Sequence, residues 1–241
     1  IHNVIAASIK KLFNHSKLYI YCQKDRDYKP DILKMNPYID RVFYMDNEAF
    51  LAMDNFGNFN DIMTMGWHVP NYITRLESWH KLNCNAPHLI LSPSSMSEIL
   101  LGSFDSPARL NIRENLVDNL TARLVAKGVD PNRWFSIVHH REPGYEFRPA
   151  RNYRDVAHEP FANLTERIIE DLGGQVVRVG HPGMTPFPSR SGFIDLSTEA
   201  EDAFNLQAYA ISRARFMVGV STGPLQLASA LGTPVASTNA V

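Results

Sequence analysis

The chain has 241 residues, of which 44% are hydrophobic and 20% are charged, with 24 basic and 25 acidic side chains. Disordered chains combine low hydrophobic content with high net charge, so a formal net charge of −1 in this composition predicts a folded, globular protein. The balanced charge offers no general attraction to nucleic acid, and any anionic ligand would need a local cluster of basic residues.

The sequence also indicates the compartment, the absence of a cysteine framework and the extent of the chain. It contains no run of about 20 apolar residues that would span a bilayer, and its start lacks the basic and apolar regions of a signal peptide. We therefore expect a cytoplasmic protein. Cys22 and Cys84 are too few for a disulfide framework or a four-cysteine zinc site. Because the chain starts at Ile1 and stops at Val241, just after an apolar run, we expect a longer protein that has been truncated at both ends.

The first part of the chain predicts the order helix, strand, helix, strand, strand, with one further strand at its end. Apolar residues recur at helical spacing over residues 2–13. Strand-like runs follow at residues 17–22, 41–45, 61–65 and 88–92.

A long helix is predicted next, over residues 111–127, with Gly128 as the residue that ends it. We interpret residues 111–134 as a connection between a first domain at 1–110 and a second at 135–241.

The second domain alternates strands with helices. Strands are predicted at residues 135–139, 175–179, 193–196, 216–220 and 234–236, and helices at 160–172, 203–214 and 224–231. Such alternation is typical of parallel sheets with right-handed crossovers, so the fold class is α/β.

Ligands of open parallel sheets bind beyond the carboxyl ends of the strands, and the loop after residues 216–220 has the residues for an anion site. We expect Gly223 to allow a tight turn, Pro224 to take the first helical position, and Ser221 or Thr222 to cap the helix. Free N–H groups and the positive end of the helix dipole attract anions there. An ordinary capped helix would carry the same residues, so both readings stay open.

A second loop, after residues 135–139, is rich in arginine. Its basic residues are Arg141, Arg148, Arg151 and Arg154. Arginine recognises phosphate or carboxylate with two parallel hydrogen bonds. The alternative is a solvated loop in which these arginines pair with nearby acidic residues. His139 and His140 are successive strand residues that point to opposite faces, so we expect no metal site there.

A third loop, residues 178–184, contains Gly180 and Gly183, which would permit close approach of a ligand ring or would simply form a turn. The sequence contains no nucleophile elbow, Walker loop, dinucleotide fingerprint or His-Glu-x-x-His pattern. This favours a nucleotide-type ligand held by arginines and a helix start over hydride transfer or P-loop chemistry.

Four stretches resemble known glycosyltransferases. Residues 216–235, with Ser-Thr-Gly-Pro-Leu-Gln at 221–226 and Gly-Thr-Pro at 232–234, resemble the heptosyltransferase-type enzymes, which have Asp-Thr-Gly-Pro-Met-His followed by a small-residue helix and Gly-x-Pro. Residues 36–42 resemble their Asn-Pro turn. Residues 139–155 together with 177–184 resemble a group of bacterial glycosyltransferases that carry a His-x-Arg-Glu-Pro-Gly-Tyr loop.

This resemblance implies a GT-B arrangement of two Rossmann-like domains, with the nucleotide-sugar donor on the second and the acceptor on the first. The implied function is transfer of a sugar from a nucleotide diphosphate donor to a glycan or glycolipid hydroxyl in surface polysaccharide or glycolipid assembly. We expect no metal ion, because arginines and a helix dipole can stabilise the leaving diphosphate. We also expect no cofactor and, from the balanced charge, no nucleic acid, and the function leaves room for peripheral contact with the inner membrane.

The resemblance also assigns roles to residues. Backbone N–H groups at 221–223 would bind the donor diphosphate, Arg141 would neutralise it, and Arg178 and Gly180 would lie near the base or ribose. The full set implied to bind the donor is His139, Arg141, Glu142, Tyr145, Arg178, Gly180, Ser221, Thr222, Gly223 and Gln226.

Two positions depart from the heptosyltransferase pattern: Ser221 replaces its Asp, and Gln226 replaces its His. The catalytic Asp of that family would precede Ile1, so His2 and Glu142 are the candidates for a base. Three alternatives stay open: a GT-B module that binds nucleotide sugars without transfer, a sugar-nucleotide epimerase or hydrolase on the same fold, and a purely structural α/β protein.

Overall fold

The computed structural model describes residues 6–7, 10, 15, 17–23, 29–45, 109–142 and 155–238. The chain divides into two compact units, Ile1–Ala108 and Arg109–Val241. The strands predicted at residues 61–65 and 88–92 lie outside the described residues. No helix of the described part is long and apolar enough to cross a bilayer.

The first unit contains a parallel strand pair. Strand β1 (Tyr19–Gln23) lies beside β2 (Arg41–Met45), with helix α1 (Lys29–Lys34) between them in the chain. Asp40 ties the starts of the two strands together, because its carboxylate accepts a hydrogen bond from the Leu18 N–H at 2.7 Å. This confirms the two strands predicted at 17–22 and 41–45.

The second unit holds a five-stranded parallel sheet covered by helices. Its strands are β3 (Phe135–His139), β4 (Gln175–Arg178), β5 (Phe193–Asp195), β6 (Met217–Gly219) and β7 (Val235–Ser237). Its helices are α2 (Val117–Ala126), α3 (Glu159–Glu170), α4 (Ala203–Arg213) and α5 (Gly223–Leu231), with a 3-10 turn at Glu114–Leu116. The strand and helix pattern predicted for this region is confirmed.

The strand order is β5-β4-β3-β6-β7. The chain runs outward from β3 through β4 to β5, then returns to β6 on the other side of β3 and continues to β7. The order therefore reverses between β3 and β6, whose last residues, His139 and Gly219, lie opposite each other. In open α/β sheets, this reversal creates the crevice in which ligands bind.

Strands β3, β4 and β6 are buried on both faces, as expected for parallel strands with crossover helices, whereas the edge strand β7 is exposed. On one face, α2, α4 and α5 pack against alternate strand residues such as Ile137 and Met217. On the other face, α3 packs against the intervening residues, including Val138 and Val176. All five residues of β3 are buried.

Helix α2 is part of the second unit. Leu120 and Leu124 lie in the same hydrophobic core as the sheet, and the Thr121 and Tyr209 hydroxyl oxygens are 2.5 Å apart. Gly128 has a φ of 103°, the left-handed conformation of a helix-ending glycine, as predicted. The helix interpreted as a connection from the sequence is thus packed as a layer of this unit, because its apolar side covers the sheet.

Candidate functional site

The carboxyl ends of β3 and β6 are held unusually close. A Cβ at Gly219 would lie 2.7 Å from the carbonyl oxygen of His139, a distance that real side chains do not adopt. Glycine is therefore required at the end of β6 for the two strands to pair here. We call the loops after these strands, residues 140–142 and 220–222, the switch-point loops.

Helix α5 begins directly after the second switch-point loop without a side-chain cap. Thr222 is the N-cap residue, but its side chain makes no capping hydrogen bond, and the Thr222 hydroxyl donates instead to the Val220 carbonyl oxygen at 3.0 Å. The prediction that Ser221 or Thr222 caps this helix is therefore wrong. The Gly223 N–H, which no intrahelical bond can use, is left at the positive end of the helix dipole.

Gly223 is the first residue of α5 and Pro224 the second, so the predicted proline at the helix start is one position later than expected. Gly223 is absent from the glycines with positive φ, and a Cβ there would meet no atom of the described residues within 4 Å. The tight turn expected at Gly223 is therefore not what requires a glycine at this position. Among the residues that the structure describes, none fills the space beside Gly223 at the start of α5. Gln226 is exposed in the first turn of α5.

Arg141 lies in the first switch-point loop. Its Nε donates to Asp155 Oδ1 at 3.0 Å, and its carbonyl oxygen accepts from the Val156 N–H at 2.9 Å. The expected pairing of this arginine with an acidic neighbour is thus observed. The Arg141 side chain is still 17% exposed. The other three loop arginines lie outside the described residues, as do Tyr145 and His2.

The two histidines at the end of β3 face opposite sides of the sheet. The Nδ1 of His139 is 2.9 Å from the Val179 carbonyl oxygen, and burial lowers the pKa of His139 to about 4. A neutral ring must therefore donate from Nδ1, which leaves Nε2 as its acceptor. The His140 ring lies between Phe161 and Phe187, with centroids at 5.1 and 5.4 Å.

Burial also lowers the pKa of His140 to about 4, although the Glu142 carboxylate raises it. Within the stretches that the structure describes, no three His, Cys, Asp or Glu side chains are grouped to hold a metal ion.

Arg178 is completely buried on β4. Its Nη1 is 3.3 Å from Asp195 Oδ2, its Nη2 is 3.4 Å from Glu142 Oε1, and its guanidinium carbon lies 4.2 Å from the centre of the Phe187 ring. Asp195 is the register partner of Arg178 on β5, so both side chains project from the same face of the sheet. The positive charge of Arg178 is therefore balanced by the carboxylates of Asp195 and Glu142.

Glu142 connects the first switch-point loop to the loop after β4. Its carboxylate accepts from the Thr185 N–H at 3.0 Å and from the Thr185 hydroxyl at 2.5 Å, and it lies 2.8 Å from His140 Nε2. Burial would raise the pKa of Glu142, but the hydrogen bonds from Thr185 and the positive charge of Arg178 outweigh it and lower the pKa. A general base needs a pKa near the working pH, so these contacts favour a structural task for Glu142.

The loop after β4 is braced by a residue that the sequence did not single out. Gln207 of α4 accepts a hydrogen bond from the Gly180 N–H at 3.0 Å, and it donates to the Gly180 and Leu196 carbonyl oxygens at 2.9 and 3.0 Å. The Met184 sulfur occupies the place of a Gly180 Cβ, so this glycine is needed for loop packing. The sequence signal for this contact is the amide side chain of Gln207 among the apolar residues of α4. That signal does not reveal the partners of Gln207, which lie 27 and 11 positions earlier in the chain.

These features define the class of fold: an α/β protein of the GT-B type, with a doubly wound parallel sheet in its second unit. Its structural relatives are glycosyltransferases. A glycosyl transferase family 9 protein from Veillonella parvula matches with a TM-score of 0.64 at 13% identity, over 97% of this chain and 74% of that chain. The ADP-heptose lipopolysaccharide heptosyltransferase II of E. coli matches with a TM-score of 0.59 at 12% identity, over 97% and 78% of the two chains.

The heptosyltransferase WaaC of E. coli, in a structure with ADP-2-deoxy-2-fluoro heptose, matches with a TM-score of 0.54 at 12% identity, over 97% of this chain and 82% of that one. No family model and no curated protein sequence matches this chain. Similarity at such low identity establishes the fold. The closer resemblance to enzymes with a His-x-Arg-Glu-Pro-Gly-Tyr loop stays a prediction.

Proposed function

We propose that this protein is a glycosyltransferase that binds a nucleotide diphosphate sugar at the switch point between β3 and β6. The observation that carries the proposal is the uncapped start of α5, with open space at Gly223, at the carboxyl edge where the strand order reverses. A diphosphate is a suitable occupant, because backbone N–H groups and the helix dipole both favour negative charge there.

The neighbouring switch-point loop supports the same ligand. Arg141 supplies a permanent positive charge from the strand adjacent to β6. The structure of WaaC with ADP-2-deoxy-2-fluoro heptose supports the proposal too, since it places a nucleoside diphosphate sugar on a protein of the same fold. Tyr145, Gln226 and the backbone N–H groups at 221–223 keep their assignment to the donor as part of the proposal. Arg178 and Glu142 pair with each other and are assigned to holding the first switch-point loop instead. The assignments of His139 and Gly180 stay predictions.

The proposed reaction is attack of an acceptor hydroxyl on the anomeric carbon of the sugar. The bond from that carbon to the diphosphate breaks, the diphosphate leaves with the electron pair, and a base takes the hydroxyl proton. Arg141 and the start of α5 stabilise the charge that develops on the leaving diphosphate. The acceptor is a glycan or glycolipid of surface polysaccharide assembly, and the first unit forms the acceptor side.

Replacing Gly223 with alanine tests the diphosphate position. A methyl group there would meet no atom of the described part of the chain within 4 Å, so we expect an unchanged melting temperature. It would occupy the space assigned to the diphosphate, so we expect the affinity for ADP, GDP or UDP, measured by calorimetry, to fall about tenfold or more. Ser229→Ala, near the other end of α5, is the matched control. Unchanged affinity in Gly223→Ala would show that no ligand lies there.

In the same experiment, Arg141→Ala should weaken the binding of the nucleoside diphosphate, because it removes the charge next to the helix start. Arg167→Ala, an exposed arginine in the last turn of α3, is its control. Equal affinities of the two variants would contradict the role of Arg141.

A module that binds nucleotide sugars without transferring them is the second candidate. The favouring observation is that Glu142, the described candidate for a base, is held by Thr185 and has a lowered pKa. Nucleotide-sugar binding without release of a free nucleoside diphosphate, in the presence of any acceptor tested, would support this module over the enzyme.

A further inference from the structure

Two loops that are far apart in the sequence are joined at Glu142. Its carboxylate receives both the N–H and the hydroxyl of Thr185, which lies 43 positions further along the chain. The same carboxylate faces Arg178, which is also bound by Asp195. We call this set of four residues the Glu142 clamp.

The clamp holds the first switch-point loop at Glu142, three residues after the end of β3. Glu142 directly follows Arg141, whose own contacts run to Asp155 and Val156 on the far side of the loop. Asp155 and Val156 therefore hold Arg141 from one direction, and the clamp holds the next residue from the other. A hydrogen bond to a charged carboxylate is among the stronger ones in proteins, so both attachments restrict the loop.

We infer that the Glu142 clamp positions Arg141 for its ligand, with Glu142 and Thr185 acting as positioning residues. This inference rests on the proposed function, in which Arg141 meets the donor diphosphate. An arginine that is already held in place loses less conformational entropy on binding than one on a free loop.

Thr185 is the residue at which the clamp can be opened without unfolding the protein. It is exposed, whereas removal of Glu142 would leave the buried Arg178 charge with Asp195 as its remaining ionic partner. Thr185→Val removes the hydroxyl donor and keeps the shape of the side chain. Thr185→Ser keeps the hydroxyl. Thr165→Val, which removes a hydroxyl bonded to the Phe161 carbonyl oxygen within α3, is the matched control.

Two measurements on the full chain test the inference. Amide hydrogen exchange of the segments 139–142 and 180–186 reports whether the loops are coupled, and calorimetry with ADP, GDP and UDP reports ligand binding. We expect Thr185→Val to speed exchange in both segments and to weaken nucleoside diphosphate binding about threefold to tenfold. Thr185→Ser should restore both properties, and Thr165→Val should change neither.

Two outcomes would overturn the inference. Unchanged exchange at 139–142 in Thr185→Val would show that the loops are not coupled. Faster exchange with unchanged affinity would show that the coupling does not position Arg141. Failure of the unmodified protein to bind any of the three nucleotides would instead refute the proposed function and, with it, the ligand role of the clamp. The hydrogen-exchange measurement would still show whether the two loops are coupled.

Discussion

At the scale of single residues, the site combines groups whose protonation is set by burial. His139 and His140 follow each other at the end of β3, and burial lowers the pKa of each to about 4. His140 faces Glu142 and Arg178, whose opposite charges act on its ring in opposite directions. Both rings are therefore neutral at pH 7, and His139 is held in one tautomer by the Val179 carbonyl oxygen.

This protonation predicts how stability depends on pH. An unfolded histidine titrates near 6.5, so between pH 6.5 and about 4 the unfolded chain binds more protons than the folded one. The free energy of unfolding should then fall as the pH falls through this window, by up to about 1.4 kcal/mol per pH unit for each histidine, and should be fully restored above pH 6.5.

Histidine ring signals followed by NMR check the pKa values directly, and denaturant unfolding at several pH values checks the slope. His139→Gln and His140→Gln, measured separately, should each flatten the slope. Two rings that titrate near pH 6.5 in the folded protein would contradict the expectation.

At the scale of the elements, the start of α5 is a helix end that its own N-cap residue does not cap. A helix whose first N–H groups are not capped is less stable than it could be, typically by about 0.5–2 kcal/mol. The Thr222 hydroxyl could serve as a cap, but it bonds to Val220 instead. In our proposal the ligand completes this helix end.

Thr222→Asp tests that trade-off. An aspartate at the N-cap can accept from the free N–H groups and its charge suits the helix dipole, so we expect a higher melting temperature. The same charge would repel a diphosphate, so we expect weaker binding of ADP, GDP or UDP. Thr222→Asn, a neutral capping residue, should also raise the melting temperature with a smaller loss of affinity. Equal affinities of the Asp and Asn variants would show that no anion approaches this helix end.

At the scale of the whole molecule, the order of the strands decides where the chemistry lies. Placing β3 beside β6 brings Arg141 and the start of α5 to the same edge of the sheet, although 80 residues separate Arg141 from Ser221 in the chain. The proposed site therefore combines the Arg141 guanidinium, which is paired with Asp155, with the helix dipole of α5. The GT-B fold that this chain shares with glycosyltransferases is consistent with such a site.

We expect the site to work without a metal ion, because Arg141 and α5 supply the charge that a divalent cation would otherwise provide. Nucleoside diphosphate affinity measured in EDTA should equal that measured in magnesium chloride. Transfer activity, once a donor and an acceptor are identified, should also survive EDTA. Loss of either property in EDTA, with recovery on addition of a divalent cation, would contradict a metal-free mechanism.

The elements of the second unit could be predicted closely because the signals for them are local. The helix at 159–170 was predicted at 160–172, and the strand at 135–139 was predicted at those residues. Apolar periodicity and helix-ending glycines act over a few neighbouring residues, so the sequence alone carries them. The loops that would hold a ligand were found in the same way, because they follow the strands.

The sequence by itself therefore determined the α/β class, the elements of the second unit and the loops after β3, β4 and β6. The tertiary structure alone decided that Arg178 is buried against Asp195 and Glu142, that Gln207 braces Gly180, and that the Thr222 hydroxyl leaves α5 uncapped. Strand order and contacts between distant loops depend on how the whole unit packs, and no pattern among neighbouring residues contains that information.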